Sequence, residues 1–378
     1  MNPESIFSYY PTYSILDEIL STGKYDQINI FIDLKNNLQT LYMEHSIKGI
    51  IEESMKSRFI DTSIFSSILS FLQFHKLYSI KRDINIKFYI FFETGTSIYH
   101  TNISKKYKIN RRIDDLYGLD KNKRDYFHEI VQKNLQLTES VLNKTPDVFV
   151  IRLSHLEADF VPYYLIKNKL VNECLNPVNI IYSNDHDLYQ CLELDGNNFI
   201  FSKSYKTKKI IRKGEVLKTY LKTDKNLPDK YLTFCMSIIG DTGDNVYGIK
   251  GMGPKRVCDI IEEMVKMVGG IENLRSNVIN ESNIFNQDVN LIKNKNIKTI
   301  VDEERNNKII SNNLKLVDFN IISEFLDNGL NTEMLERRKY IRNILNDKKI
   351  SPIQPLKTAL NKLGIYLQEE LEVIYFRR

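Results

Sequence analysis

Acidic residues recur in short clusters along this chain: Asp33, Glu93, Glu157 with Asp159, Asp185 with Asp187, and Asp241 with Asp244. A pair of hard divalent cations roughly 4 Å apart needs a dense shell of oxygen ligands, more than ordinary surface carboxylates supply. Clusters of this kind suit metal-assisted hydrolysis of phosphodiesters. Any one of these pairs, taken alone, reads as a helix cap or a solvated face. The argument rests on several of them falling at the ends of strands.

Two further features carry chemistry. Lys105, Lys106, Lys108, Arg111 and Arg112 surround Tyr107 and Asn110, a cationic run whose natural partner is phosphate but whose bland reading is a solvated face. Gly248, Gly251 and Gly253 then punctuate a tight turn before Pro254, which stands at a plausible first helical position, with Lys255 and Arg256 behind it. Amides at such a helix start bind phosphate oxygens, although a Gly-x-Gly by itself marks only a turn. The nucleotide-binding pattern Gly-x-x-x-x-Gly-Lys-Ser/Thr is missing, so ATP-driven action has no support. The histidines lack paired ligand spacing, and strand alternation turns His186 away from Asp185 and Asp187.

The elements that must position these groups follow from periodicity. Ile28 to Ile32 is a strand ending at Asp33, and Ile86 to Phe92 a strand ending at Glu93. Between them Ile64, Phe65, Ile68, Leu69, Phe71 and Leu72 recur at helical spacing, as in a crossover helix. Val148 to Ile151 leads into Glu157, and Val178 to Tyr182 leads into Asp185. Strands alternating with helices, with acids at the strand ends, predict a parallel α/β sheet with its site along that edge. Asp185 and Asp187 are expected to share one face of a strand terminus, Glu157 and Asp159 to lie at a helix start, and Asp241 and Asp244 to share a side. From about Thr233 the pattern is helical, with helices expected from Pro254 to about Val268 and from Leu316 to Leu330. A Ser351-Pro352 break precedes an amphipathic run from Leu356 to Leu367.

A length of 378 residues with 42% hydrophobic residues suffices for a large buried core, and a net charge of +5 is too mild to signal polyanion binding alone. Cys174, Cys191, Cys235 and Cys258 lack zinc or disulfide-framework spacing and read as reduced thiols of a cytosolic protein. Residues 1–14 lack a secretory pattern, and no run of about 18 apolar residues occurs, so neither export nor a membrane span is expected. Heavy use of Lys, Asn, Ile and Tyr without Trp fits a low-GC coding genome such as that of a phage.

Taken together, Ser183-Asn184-Asp185-His186-Asp187-Leu188, Leu156-Glu157-Ala158-Asp159 and Gly240-Asp241-Thr242-Gly243-Asp244-Asn245 resemble the flap endonuclease family of structure-specific 5′-nucleases. The phage branch, with 5′-3′ exonucleases and a phage ribonuclease H, is the most similar. The likeness runs from about Ile28 to about Phe319. It implies an α/β fold with a PIN-like, mostly parallel sheet flanked by helices, a helical arch and a helix-turn-helix DNA clamp. The nuclease core is then expected at 1–232 with the arch region at about 105–146, the clamp at 233–336, and an appended helical tail at 337–378.

By the same resemblance, Asp33, Glu93, Glu157 and Asp159 would hold one metal ion, and Asp185, Asp187 and Asp241, supported by Asp244, would hold or neighbour a second. The implied ions are Mg2+, for which Mn2+ substitutes, and K+ in the glycine turn. Tyr107-Lys108-Ile109-Asn110-Arg111 is similar to the family's Tyr-Lys-x-Asn-Arg element at the arch base, which assigns Lys108 and Arg111 to the scissile phosphate. Tyr107 would stack on a base or pack. Residues 114–143 would form the arch, with Lys121, Lys123 and Arg124 lining a gateway for single-stranded DNA. The implied activity is metal-dependent 5′-nuclease action on flaps, nicks or primers in replication or repair. The implied partners are branched or nicked duplexes, RNA-DNA hybrids, and a polymerase, single-strand-binding protein or clamp, met by a monomer in a host cytoplasm. The chain departs from the family at Glu93, where Asp is usual, and at Phe160, where many phage and bacterial members carry a second Asp. These departures motivate an alternative, a structure-selective DNA-binding protein with weakened chemistry. A single-strand-type RNase is disfavoured by the arch and the glycine turn.

Overall fold

The computed structural model describes residues 13–35, 63–109, 121–143, 145–171, 176–203, 208–286, 288–328 and 332–346. Its α/β part runs α1 (Tyr13–Leu20), β1 (Gln27–Asp33), α2 (Ser63–Arg82), β2 (Asn85–Thr94), α3 (Ile98–Ile103), α4 (Lys121–Leu142), β3 (Val148–Ser154), α5 (Val161–Lys167), β4 (Pro177–Tyr182), β5 (Asn197–Lys203), β6 (Lys208–Ile211) and α6 (Val216–Leu221). There follow α7 (Leu232–Ile239), the short ladder of β7 (Gly240–Asp241) with β8 (Val246–Tyr247), α8 (Pro254–Met267), α9 (Ile271–Ile279), α10 (Lys295–Asn307), α11 (Ile309–Val317), α12 (Phe319–Asn328) and α13 (Thr332–Asn346).

Six strands form one sheet in the order β3-β2-β1-β4-β5-β6, parallel except for the last pair. Successive side chains point to opposite faces, and each parity feeds its own core. Ile28, Ile30, Phe88, Ile90 and Ile180 face the layer of α1, α2 and α4. Phe31, Tyr89, Phe91, Leu153 and Ile181 face α5 and the helices from α7 onward. Asp33 and Glu93 share the parity of Phe31 and Phe91, so both continue this second face at the carboxyl edge of the sheet.

Register on that face is pinned by buried amides. Gln27 Nε2 donates to Asn29 Oδ1 (2.7 Å), Asn29 Nδ2 to Asn179 Oδ1 (2.9 Å), and Asn179 Nδ2 to Asn198 Oδ1 (2.8 Å), a ladder across β1, β4 and β5. A one-residue slip would press these amides into the isoleucines of the other face, so the ladder selects one pairing.

Three expectations need correction, and the helical segment expected after Arg337 gains a position. β3 extends to Ser154, three residues past Ile151. The helix expected from Leu316 to Leu330 is two helices, because Asp318 closes α11 with its N–H on Leu314 O and caps α12 by accepting from Asn320 N (2.8 Å). The anticipated arch helix, α4, starts at Lys121 and buries Val131, Leu135, Val141 and Leu142 in the sheet layer, so its second half is core rather than arch. The segment after Arg337 is docked through residue 346: Arg337 Nε donates to Ser154 O (3.0 Å), and Arg152 N donates to the Tyr340 hydroxyl (3.2 Å). Residues 114–120 and 347–378 lie outside the described residues.

Two buried ionisable groups yield stability predictions. Arg275 donates through Nε to Asp318 Oδ2 (2.9 Å), a carboxylate with 0% exposure. Burial lifts nearby Glu193 to about 8 against the pull of Arg275, and the Asp318 carboxylate makes the shortest of the guanidinium's ion pairs and is the charge it offsets. Arg275→Ala strands that charge and is expected to cost ~3–5 kcal/mol in urea unfolding, with Arg275→Lys intermediate. His75 donates from Nδ1 to Phe71 O (2.9 Å) and accepts from the Tyr182 hydroxyl (2.7 Å). Burial lowers this imidazole to about 4. The unfolded chain takes up a proton near pH 6.5 and the folded chain only near 4, so stability is full above pH 6.5 and is lost as pH falls towards 4. His75→Phe should reduce the stability difference between pH 7.5 and pH 5 by ~2 kcal/mol. An unchanged difference would remove His75 as its source. No described helix is long and apolar enough to cross a membrane.

Candidate active site

The chain leaves β1 for β2 on one side, while β4 lies on the other, making the β1/β4 boundary a topological switch point at the carboxyl edge. Asp33 ends β1, Glu93 nearly ends β2, and the loops after β3 and β4 carry the remaining nearby acids. β3 and β4 are three strands apart, ~14 Å at ordinary spacing. Asp159 nevertheless feels Asp185 and Asp187 electrostatically.

The loop after β4 differs from the expected strand terminus. β4 stops at Tyr182, and Asp187 opens a 3-10 helix, Asp187–Glu193. Asp185 N donates to Ser183 Oγ (3.0 Å) and Asp187 N to Asp185 Oδ1 (3.0 Å), so a hydrogen-bonded turn, not pleat alternation, sets these carboxylates side by side. Asp241 and Asp244 share no helix face either. Asp241 is extended, exposed, and caps the 3-10 turn Thr242–Asp244 through Gly243 N (2.8 Å), while Asp244 is buried inside that turn. Glu157 and Asp159 do precede a helix, α5, as expected. His186 makes edge contacts with Tyr189 and Tyr220.

Lys108 joins two of these acids, Glu157 and Asp244. Its Nζ donates to Glu157 Oε2 and lies 3.4 Å from Asp244 Oδ2, and its N–H donates to Asp244 O (2.9 Å). Despite burial, Glu157 leads the set of neighbours that raise this ammonium well above the usual lysine range, so it stays charged. Lys108 adopts φ 51, a left-handed conformation that costs roughly 1–2 kcal/mol without glycine.

The support for that conformation comes from the end of α11. A helix C-terminus leaves carbonyls unsatisfied, and here three successive ones receive side chains: Lys315 O from the Tyr99 hydroxyl (2.8 Å), Leu316 O from His100 Nε2 (3.2 Å), and Val317 O from Gln190 Nε2 (2.8 Å). His100 then stacks on Tyr107 at 4.6 Å, directly before Lys108. Tyr107 is 6% exposed, so of the two readings, stacking on a base or packing, its place in the core selects packing. His100 and Gln190 escaped the sequence reading because their partners are carbonyls about 216 and 127 residues away.

Lys35 was also missed. Its Nζ lies 2.5 Å from Glu93 Oε1, pairing that acid with a cation two residues beyond Asp33. Phe160 is buried against Tyr164 and offers no oxygen. Lys105 and Lys106 are exposed in the turn before Lys108, and Lys121 is exposed at the start of α4. Lys123 and Arg124 follow on the same helix. Arg111 and Arg112 lie outside the described residues.

The glycine turn is built by close approach. A Cβ on Gly248 would sit 2.0 Å from Ile239 O, so only glycine lets β8 lie against the end of α7. Gly251 has φ +82 and its carbonyl accepts from Arg256 Nη1 (2.7 Å). Gly253 precedes α8, which Pro254 opens, and Lys255 and Arg256 are exposed on its first turn.

The donor set is all oxygen and strongly anionic. Burial first, then Glu157, Asp185 and Asp187, push the Asp159 carboxyl well above the carboxylate range; burial, Asp185, Asp244 and Asp241 do the same to Asp187. Hard divalent cations relieve that repulsion, so the residues fit such ions. Among the described residues no three His, Cys, Asp or Glu side chains already converge as a ligand cage. The acids are electrostatic neighbours around Lys108 instead.

No family model matches the sequence, and no curated protein matches it. Solved structures do. A phage T5 protein co-crystallised with metal ions is 20% identical, with 84% of this chain and 98% of that chain covered and a TM-score of 0.57. The phage T5 5′-exonuclease with bound zinc gives 19%, 84%, 98% and 0.55. A phage T5 flap endonuclease complex with DNA and metal ions gives 19%, 85%, 100% and 0.56. The fold, a mostly parallel sheet flanked by helices with a helical second half, is thus shared along nearly the whole of those chains, and this chain has the fold of the phage T5 5′-exonuclease and flap endonuclease.

Proposed function

We propose that the protein is a divalent-metal-dependent, structure-specific 5′-nuclease that hydrolyses phosphodiesters of flap, nicked or primer-bearing duplexes. The observation that carries this reading is the Lys108 ammonium set between Glu157 and Asp244, with Asp159 beside it and Asp187 under the repulsion of Asp185, Asp244 and Asp241, near the sheet's carboxyl edge. Those acids, with Asp33 and Glu93, would hold two Mg2+ ions, for which Mn2+ would substitute. Such ions supply Lewis acidity, which favours ionised water as attacking group and offsets charge on the leaving 3′ oxygen.

The chain's own residues do the rest. Lys108 presents a fixed positive charge where the phosphate gains negative charge, and Arg111 would add a second. The glycine turn, with Lys255 and Arg256, would grip the duplex backbone and hold K+, while Lys105, Lys106, Arg112, Lys121, Lys123 and Arg124 would track the displaced strand. The contacts of Tyr99, His100 and Gln190 with the end of α11 would keep the Lys108 charge in one place relative to the phosphate. A replication or repair role in a phage-infected cytoplasm, beside a polymerase, single-strand-binding protein or clamp, follows from this substrate class.

A labelled 5′-flap duplex with Mg2+ tests the reading, with blunt duplex and single-stranded RNA as controls. Junction-mapped products support flap action, stepwise shortening supports exonuclease action, and intact flap DNA with either Mg2+ or Mn2+ refutes both. The last outcome, with tight flap binding, would favour a structure-selective DNA-binding protein, the reading that the Lys35–Glu93 pair and buried Phe160 support.

A further inference from the structure

An aromatic ring stands in water beside the glycine turn. Tyr247 is 59% exposed, although its ladder neighbour Val246 is buried. Its position is nevertheless fixed. Asn313 Nδ2 donates both to Tyr247 O (3.0 Å) and to Ser237 O (2.8 Å), and Tyr247 pairs with Gly240 across the short ladder. Asn245 Nδ2 lies 3.3 Å from the phenol oxygen and donates to it. Tyr247 follows Asp244 by three residues, and exposed Lys250, Lys255 and Arg256 follow it.

A fixed, solvent-facing ring followed within a few residues by exposed cations is the combination that stacks a nucleobase while phosphates are neutralised along the same segment. Pre-fixing the ring removes most of the ordering cost that a mobile tyrosine would bring to binding. Bases inside a duplex hide their faces, whereas a branch point exposes them. We infer that Tyr247 is a stacking platform for one unpaired or terminal base at the branch. The inference rests on the proposed nuclease reading and adds to it a contact that reads an open base face without reading sequence.

The chain contains no tryptophan, so Tyr247→Trp creates a sole indole reporter. In an Asp185→Asn background with Mg2+, a 5′-flap duplex should quench this emission, and an abasic site at the contacted nucleotide should relieve the quench. Tyr247→Ala should weaken flap binding by about tenfold, and Tyr247→Phe, which keeps the ring but loses the bond from Asn245, should lose only a small part of that affinity. The same abasic site should weaken the wild type equally and leave Tyr247→Ala unaffected. Matching melting curves confirm that the variants are folded. If the wild type cleaves flaps but Tyr247→Ala binds them equally, or no abasic site relieves the quench, the platform is overturned while the nuclease reading stands. If the wild type neither binds nor cleaves flaps, both fall.

Discussion

Asp185→Asn is expected to reduce flap cleavage on the order of 10³-fold or more while leaving flap affinity unchanged or tighter. The substitution isolates charge from structure. Asp185 Oδ1 accepts from Asp187 N at 3.0 Å, and an asparagine oxygen accepts the same bond, so the turn survives. What disappears is one negative charge in a cluster where Asp187 is pushed up by burial and then by Asp185. The metal-free variant should therefore be no less stable than the wild type. Its stabilisation by Mg2+, read as the rise in melting temperature, should shrink, because fewer charges repay binding. Wild-type cleavage by Asp185→Asn, or an undiminished Mg2+ shift, would remove this carboxylate from the ligand set.

Lys108→Met should produce two separable losses. Turnover should fall on the order of 10²–10³-fold, the usual effect of deleting a preorganised charge at a reacting centre. Without metal the fold should also weaken by ~3–5 kcal/mol, since Glu157 and Asp244 would lose the ammonium between them in a part-buried site. Mg2+ should restore much of that stability and none of the turnover. Rescue of both by Mg2+ would mean that Lys108 serves only to neutralise the acids. Lys108→Arg is a demanding control, because the guanidinium fork does not reproduce a compact ammonium at φ 51.

The edge acids were legible in the chain because apolar runs end where they begin. Ile28 to Ile32 before Asp33 and Ile86 to Phe92 before Glu93 mark strand ends irrespective of which neighbours pair. The glycines were legible too, since backbone that must turn or touch leaves no room for a Cβ, as Gly248 shows against Ile239. Side-chain direction in loops was not. Asp185 and Asp187 looked like pleat neighbours because spacing of two is ambiguous between strand and turn, and only the Ser183 and Asp185 hydrogen bonds decide it.

Local chemistry alone therefore determined the ends of the first two strands, the crossover helix between them, the glycine turn and the identity of the acids, all of which depend on residues a few positions apart. Tertiary structure decided which acids meet, that Tyr107 is buried against His100, that Lys35 takes Glu93, and that the end of α11 braces Lys108. Those outcomes join segments up to about 216 residues apart. Carbonyl acceptors and packing partners at such range carry no residue signature, because every residue has a carbonyl and most apolar faces fit many others.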